Sequence, residues 1–281
     1  MVIFENMATG YAWAIMNKTI QAGHIECHQE SHIATVTIAN EEKYNALSVG
    51  MWQDLKSVFQ DLSAKADLRC VIVRGKGVKS FAAGADITEF EQVRKTREQV
   101  TEYHEHTVLE ALLAISDCPV PVVAQIQGAC AGGGLEIASV CDLRIAGNSA
   151  RLGIPIRMLG FSLALGELQG LVRLVGPAVA AELLYEGRML GAQEALSKGL
   201  LTRVVDDDVL EREAMEMARR IAAGAPLAAR THKQLIRRLV TDPSPVTREE
   251  RLAGYAFADT QDYQIGVRAF LDKTMPVFTG R

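Results

Sequence analysis

Short, wholly apolar runs separated by helical patterns are the feature that most constrains the fold of this chain. Residues 70–73 (CVIV) and 122–126 (VVAQI) are typical of strands buried on both faces, which require helices on either side of their sheet. The alternation in residues 32–39 predicts another strand. Helical spacing follows Ser48, which we expect to be an N-cap. Strands that alternate with helices indicate the α/β class.

The pattern changes in the C-terminal half of the chain. Beyond Gly176-Pro177 the periodicity predicts mostly helices, and residues 200–205 form the one strand-like segment. The predicted helices cover residues 178–185, 192–198, 209–223, 227–240 and 246–273. We therefore expect a mobile N-terminal extension over residues 1–23, a sheet-containing core over 24–205 and a helical region over 206–281.

Composition excludes several classes of protein. Thirty basic against 34 acidic residues give a net charge of −4 without any basic block, so nucleic acid is not expected as a partner. No uncharged apolar stretch reaches the roughly 18 residues that a membrane span needs. The five cysteines lack metal-ligand spacing, and four of them lie in apolar runs. This usage predicts reduced thiols and a cytoplasmic protein.

Two glycine-rich turns, each after an apolar strand, are the best candidates for chemistry. They are residues 81–87 (FAAGADI) and 128–136 (GACAGGGLE). Glycine allows backbone to approach a ligand closely, and the second turn opens a helix whose first N–H groups are free. Two such turns side by side would aim two amides at one oxygen, as in an oxyanion hole. Each turn taken alone also fits a simple tight connection.

Other glycine-rich sites do not match the second turn. A phosphate-binding loop requires Lys-Ser/Thr after its last glycine, where this chain has Leu135-Glu136, and the dinucleotide pattern G-x-G-x-x-G is absent. Glu136 lies in the first turn of the predicted helix among apolar neighbours. Its carboxylate fits either a desolvated acid/base or an acid that interacts with the helix dipole.

The segments FAAGADI and GACAGGGLEIASVCDLRIA resemble the crotonase (enoyl-CoA hydratase/isomerase) superfamily. Asn45-Ala46-Leu47, Gly153-Ile154-Pro155, residues 192–205 and the ending AFLDK at 269–273 add to a resemblance that covers about residues 24–281. It implies a spiral of ββα units with a helical C-terminal region that builds a trimer, often a dimer of trimers. It also implies an acyl-CoA thioester substrate, as in fatty acid metabolism, and neither a metal nor a redox cofactor.

The resemblance also implies roles for individual residues. The backbone N–H groups of Ala85 and Gly133 correspond to the oxyanion hole for the thioester oxygen, and Glu136 corresponds to a catalytic acid/base. The residues that would contact CoA or the acyl group are Ala85, Asp86, Ile87, Thr88, Gly133, Ile156, Phe270 and Lys273. The last two would reach CoA in a neighbouring subunit, although an exposed lysine and a core phenylalanine fit them equally well.

One departure from the family bears on the reaction. Hydratases of this superfamily use a second glutamate, and its position here is Ile156, which cannot transfer a proton. Glu167 could replace it, and Arg157 could contact a polar acyl group. A helix N-terminal acid and a surface cation are the simpler interpretations of these two residues.

The histidines are expected to be structural. His24, Cys27, His28 and His32 fit the exposed start of a strand better than a metal site. His104 and His106, with Glu102 and Glu105, are expected on a solvated helix face.

We therefore predict an acyl-CoA enzyme that stabilises a thioester enolate with one proton-transfer group, Glu136. Isomerisation, hydration by a single carboxylate, and decarboxylation or hydrolysis of a special acyl-CoA all fit that arrangement. A catalytically weak acyl-CoA-binding scaffold is the alternative from a different class.

Overall fold

The computed structural model describes residues 23–281, so the predicted N-terminal extension, apart from residue 23, lies outside the described residues. Ten strands form two sheets within this part of the chain. The strands are β1 (His24–Glu30), β2 (Ile33–Ala39), β3 (Cys70–Gly75), β4 (Ser80–Ala82), β5 (Val122–Ile126), β6 (Ala129–Ala131), β7 (Leu143–Gly147), β8 (Arg151–Gly153), β9 (Leu190–Gly191) and β10 (Arg203–Val205).

The larger sheet has the order β1-β2-β3-β5-β7-β10, and only its β1–β2 pair is antiparallel. The smaller sheet has the order β4-β6-β8-β9, with β8 and β9 antiparallel. Each of β3, β5 and β7 continues into a short strand of the smaller sheet and then into helical structure. This repeated unit confirms the predicted spiral of ββα units.

The helices of the core region are α1 (Val49–Ser63), α2 (Phe90–Val93), α3 (Arg97–Thr101), α4 (Leu109–Asp117), α5 (Gly133–Val140), α6 (Leu165–Glu186) and α7 (Ala192–Ser197). A π-helical turn (Glu102–Val108) joins α3 to α4. The Ser48 side chain accepts a hydrogen bond from the Met51 amide, which confirms the predicted N-cap of α1. The apolar face of α1 is buried, with Trp52 and Phe59 among the largest core side chains.

The C-terminal region is helical, as predicted. It contains α8 (Leu210–Ala223), α9 (Pro226–Thr241), α10 (Arg248–Ala253) and α11 (Gln261–Asp272). The single helix predicted over 246–273 was wrong, because α10 ends at Ala253 with Gly254 as its C-cap, and Thr260 caps a new helix by accepting from the Tyr263 amide. The other predicted boundaries lie within a few residues of those observed, except that α6 begins 13 residues before position 178.

Helix α6 is long and apolar enough, by length and composition, to be a candidate membrane span. Its backbone does not continue straight, because Gly176 has φ 74° and ψ 172° and Pro177 starts a second segment. At 1.5 Å per residue, each of the two segments is roughly 15 Å long, about half of a bilayer's hydrocarbon core. Neither segment alone is therefore long enough to cross a bilayer.

The Asn45 side chain connects the segment before α1 to the strand that leads into the first glycine-rich turn. Its buried side chain donates to the carbonyls of Ser80 (2.7 Å) and Lys76 (3.0 Å), and it accepts from the Asn40 amide (3.0 Å). Buried backbone groups need such partners. These bonds tie the segment before Leu47 to β4, which leads into residues 83–86.

Candidate active site

The two glycine-rich turns meet in space. The pairing of β4 with β6 aligns the chain segments that lead into them. A Cβ atom at Gly84 would lie 3.2 Å from the Ala131 oxygen and 3.6 Å from the Gly133 nitrogen, so the two main chains are in direct contact. Gly84 (φ 101°) and Gly132 (φ 48°) adopt conformations that other residues rarely adopt. The sequence could predict the turns, but only the second sheet brings them together.

The amides of Ala85 and Gly133 are available to a ligand. Bonds from the Leu47 amide to the Gly84 oxygen and from the Asp86 amide to the Leu47 oxygen, both 2.8 Å, hold the peptides on either side of Ala85. Within residues 23–281, the amides of Ala85 and Gly133 donate to no protein acceptor. Both residues line one cavity of about 120 Å³.

The lining of this cavity combines aromatic, aliphatic and ionisable side chains. Its walls include Ile87 and Glu136 at the ends of the two turns, and beyond the turns Trp52, Phe90, Arg94, Tyr103, His104, Ile156, Leu159, Phe161, Leu163 and Glu167. Such a pocket, with a few polar groups on an apolar wall, is typical of a small-molecule site. Among residues 23–281, no group of three His, Cys, Asp or Glu side chains is arranged to hold a metal ion.

Glu136 is buried in the first turn of α5 and faces this cavity. Burial raises its pKa well above the ordinary value, and the negative charge of Glu167 raises it further, whereas the Arg94 cation opposes both. Its carboxyl makes no hydrogen bond to the protein within the described chain. The raised pKa favours the protonated form of this carboxyl, which has no competing acceptor for its proton, as a general acid requires.

Glu167 is not the simple helix N-terminal acid that the sequence favours. It does lie in the first turn of α6, but its side chain is only 2% exposed and lines the cavity. Its Oε1 is 2.5 Å from Nδ1 of His104. Gly166 allows α6 to approach the start of α4 closely, because a Cβ at Gly166 would lie 2.9 Å from the Leu109 side chain. The structure therefore provides a second buried carboxyl where Ile156 cannot.

The prediction that His104 lies on a solvated helix face was wrong. His106, Glu102 and Glu105 are exposed, whereas the His104 side chain is 12% exposed and contacts the Tyr103 ring edge-on at 5.1 Å. His104 lies four residues after Val100 and four before Val108, so helical spacing already places it on the apolar face. The polar residue type, and not the periodicity, misled the prediction.

The residues expected to contact CoA are divided between two parts of the molecule. Ile87 is exposed and lines the cavity, whereas Thr88 is exposed and does not line it. The Asp86 carboxylate is buried and accepts from Lys43 Nζ (2.6 Å) and from the Thr88 amide and hydroxyl. Burial by itself raises the pKa of Asp86, but these bonds outweigh burial and lower it. Asp86 thus stabilises the turn in which Ala85 lies.

Phe270 and Lys273 lie on and just after α11 and do not line this cavity. Phe270 is 84% exposed, so the core position that fitted its residue type is wrong. A contact of either residue with CoA in a neighbouring subunit stays a prediction. Arg157 is also exposed and lies outside the cavity, at the surface position expected for it.

Sequence reasoning missed several residues of the cavity wall, among them Trp52, Arg94, Tyr103 and His104. Trp52 and Tyr103 follow the core periodicity, which carries no sign that they border a site. Arg94 lies after the four-residue helix α2 and His104 lies in the π-helical turn. No local pattern predicts the position of Arg94, whereas the four-residue spacing of His104 from Val100 and Val108 indicates the inner face of the helix.

One effect of the paired carboxyls can be measured directly. We expect Glu167→Gln to lower the pKa of Glu136, because the substitution removes the neighbouring negative charge that raises it. A ¹³C NMR titration of the side-chain carboxyls measures the shift. Glu186→Gln, on the exposed end of α6, should leave the pKa unchanged. An unchanged pKa in Glu167→Gln would show that the two carboxyls do not interact.

Two abutting turns with free amides, next to a buried carboxyl at a helix N-terminus, define the class of the crotonase-like enzymes. Comparisons with known proteins agree. The model of the family described as Enoyl-CoA hydratase/isomerase matches residues 28–281. The chain belongs to this family.

Individual relatives cover nearly the whole chain. It is 32% identical over 256 residues to the short-chain-enoyl-CoA hydratase of Clostridium acetobutylicum, with 90% of this chain and 97% of that one covered. It is 32% identical to the (E)-benzylidenesuccinyl-CoA hydratase of Thauera aromatica, and the alignment covers 89% of this chain and 96% of that protein. A crystal structure of an enoyl-CoA hydratase/carnithine racemase from Magnetospirillum magneticum superposes with a TM-score of 0.89 at 45% identity. The superposition covers 92% of this chain and 96% of that one.

Proposed function

We propose that this enzyme hydrates 2-enoyl-CoA thioesters and that Glu136 and Glu167 are its two carboxyl groups. The observation that carries the proposal is the burial of Glu167 in the cavity that Glu136 faces. Water addition to a double bond needs one group that takes a proton from water and another that gives a proton to carbon. Ile156 cannot provide the second group, and Glu167 can. Relatives named as hydratases support the same reaction.

The mechanism begins at the free amides. With the thioester oxygen bound between the N–H groups of Ala85 and Gly133, the negative charge that develops during addition collects on that oxygen. Donors that are already oriented stabilise this charge without reorganising. The same arrangement needs no metal or redox cofactor, since CoA belongs to the substrate.

The two carboxyls then act on opposite ends of the double bond. Protonated Glu136 delivers its proton to the α-carbon. The Glu167 carboxylate takes a proton from water, whose oxygen bonds to the β-carbon. An ionised Glu167 can only accept hydrogen bonds, so the bond with His104 places the proton on Nδ1. His104 thereby orients Glu167 and leaves its other oxygen for water. Proton exchange with solvent restores both carboxyls.

Turnover of crotonyl-CoA tests the reaction. We expect the wild-type enzyme to form 3-hydroxybutyryl-CoA and Glu167→Gln to lower kcat by about 10²-fold, as loss of a general base does. Glu186→Gln, on the same helix but exposed, is the matched control and should retain full activity. Release of free CoA would indicate hydrolysis, and a moved double bond without added water would indicate isomerisation. Either product, unchanged activity in Glu167→Gln, or binding without turnover would contradict the proposal.

We also propose that the C-terminal helices build a homotrimer or a dimer of trimers. A groove of about 860 Å³ between α9 and α11 is lined by apolar side chains that are exposed in the single chain. They include Leu235, Phe257, Tyr263, Phe270 and Leu271. A large exposed apolar patch usually marks an interface.

A further inference from the structure

Arg94 is a cation held in the cavity wall by aromatic rings. Its guanidinium carbon lies 4.3 Å from the ring centre of Phe90, 4.4 Å from that of Phe161 and 5.3 Å from that of Tyr103. These three rings come from α2, from the segment before α6 and from the π-helical turn. A guanidinium is attracted to the face of each ring. The contacts therefore fix the position of Arg94 without using its N–H groups.

The guanidinium N–H groups of Arg94 have no acceptor in the described chain. Among residues 23–281, the Arg94 side chain makes no hydrogen bond with protein and no ion pair within 4.0 Å, and only its backbone N–H donates, to the Phe90 oxygen. The side chain is only partly exposed. A guanidinium stays charged in proteins and has five donors in a planar fork that matches a carboxylate. An anionic ligand in the cavity would therefore meet a positioned cation whose donors are free.

The two cavity glutamates do not supply that counter-charge at contact distance. Glu167 is bound to His104, and no Glu136 oxygen lies within the 4.0 Å of the Arg94 guanidinium that an ion pair requires. Both act on Arg94 only through their longer-range charge. The binding capacity of the Arg94 fork is therefore free for an anion that enters the cavity.

We propose that Arg94 binds a carboxylate on the acyl group, so that the preferred substrates are acyl-CoA thioesters that carry a second, anionic end. The inference rests on the proposed function, which places the thioester carbonyl at Ala85 and Gly133 on the same cavity. The carbons between the two ends would pack against the apolar side chains of Phe90, Leu159 and Leu163. A neutral acyl chain of equal shape would leave Arg94 without its partner.

Binding of saturated thioesters tests this preference. Succinyl-, glutaryl- and adipyl-CoA are compared with 4-methylpentanoyl-, 5-methylhexanoyl- and 6-methylheptanoyl-CoA, in which an isopropyl group replaces the carboxylate at the same length. We expect at least one anionic ligand to bind on the order of 10-fold or more tightly than its neutral match in calorimetry. Arg94→Met should abolish this preference and Arg94→Lys should retain part of it. Arg157→Met, which removes an exposed cation outside the cavity, should retain all of it.

The outcomes separate this inference from the proposed reaction. Saturated thioesters have no double bond to hydrate, so the preference is measured whether or not the enzyme is a hydratase. Unchanged affinity of Arg94→Met for the neutral ligands shows that the variant is folded. Equal affinity of the wild type for both members at all three lengths, or a preference that survives Arg94→Met, overturns the inference. A carboxylate preference without hydration overturns only the proposed reaction.

Discussion

Glu136→Gln is expected to lower kcat for crotonyl-CoA by about 10⁴-fold, at the upper end of what loss of a general acid causes. Glutamine keeps the shape of the side chain but has no proton of comparable acidity to give to the α-carbon. Glu136 is the carboxyl closest along the chain to the free Gly133 amide, and it is buried beside it. No other described carboxyl lines the cavity except Glu167, which is bound to His104. The loss should therefore exceed that caused by Glu167→Gln.

Binding separates a chemical effect from a structural one. If Glu136 acts only on the proton, Glu136→Gln should bind a saturated acyl-CoA about as tightly as the wild type does. Burial favours the neutral form of Glu136, and the glutamine that replaces it is neutral as well. Glu216→Gln, a substitution of a partly exposed residue on α8 outside the cavity, serves as the control and should retain activity. A variant with nearly full turnover would show that Glu136 is only a residue of the helix N-terminus.

Gly133→Ala is expected to lower kcat by about 10³-fold while the protein stays folded. A Cβ at this position would lie 2.9 Å from Cζ2 of Trp52 and 3.4 Å from the Leu47 side chain. Trp52 is fully buried, so the start of α5 must shift, and the Gly133 amide shifts with it. Loss of one oxyanion-hole donor typically lowers kcat by about 10²–10³-fold. Steady-state kinetics, with circular dichroism to verify folding, measures the effect.

A second substitution distinguishes displacement of the amide from general damage. Trp52→Phe removes the ring atom that the new methyl group would contact. We therefore expect Gly133→Ala to lower kcat much less in the Trp52→Phe background than in the wild type, which is the coupling that a double-mutant cycle measures. Equal losses in both backgrounds would mean that the contact with Trp52 is not the cause.

Local sequence determined the elements of the core and the candidate oxyanion hole. The apolar runs at β3 and β5 and the Ser48 cap depend on neighbouring residues in the chain, so periodicity and capping rules predict them. The two glycine-rich turns were predicted for the same reason, since glycine after a buried strand indicates a special backbone conformation. The short strands β4, β6 and β8 were not predicted. Three residues contain too little periodicity to detect.

Only the tertiary structure decided which side chains share the cavity. Glu167 and His104 are 63 positions apart and meet where α6 packs against Leu109, a contact in which Gly166 leaves room for the Leu109 side chain. Arg94 meets Phe161 across a similar separation in the chain. Such contacts depend on how whole elements pack, and a one-residue shift of a helix changes which side chain faces inward. For this reason the sequence indicated a site with one carboxyl, whereas the folded chain has two carboxyls and an unpaired cation.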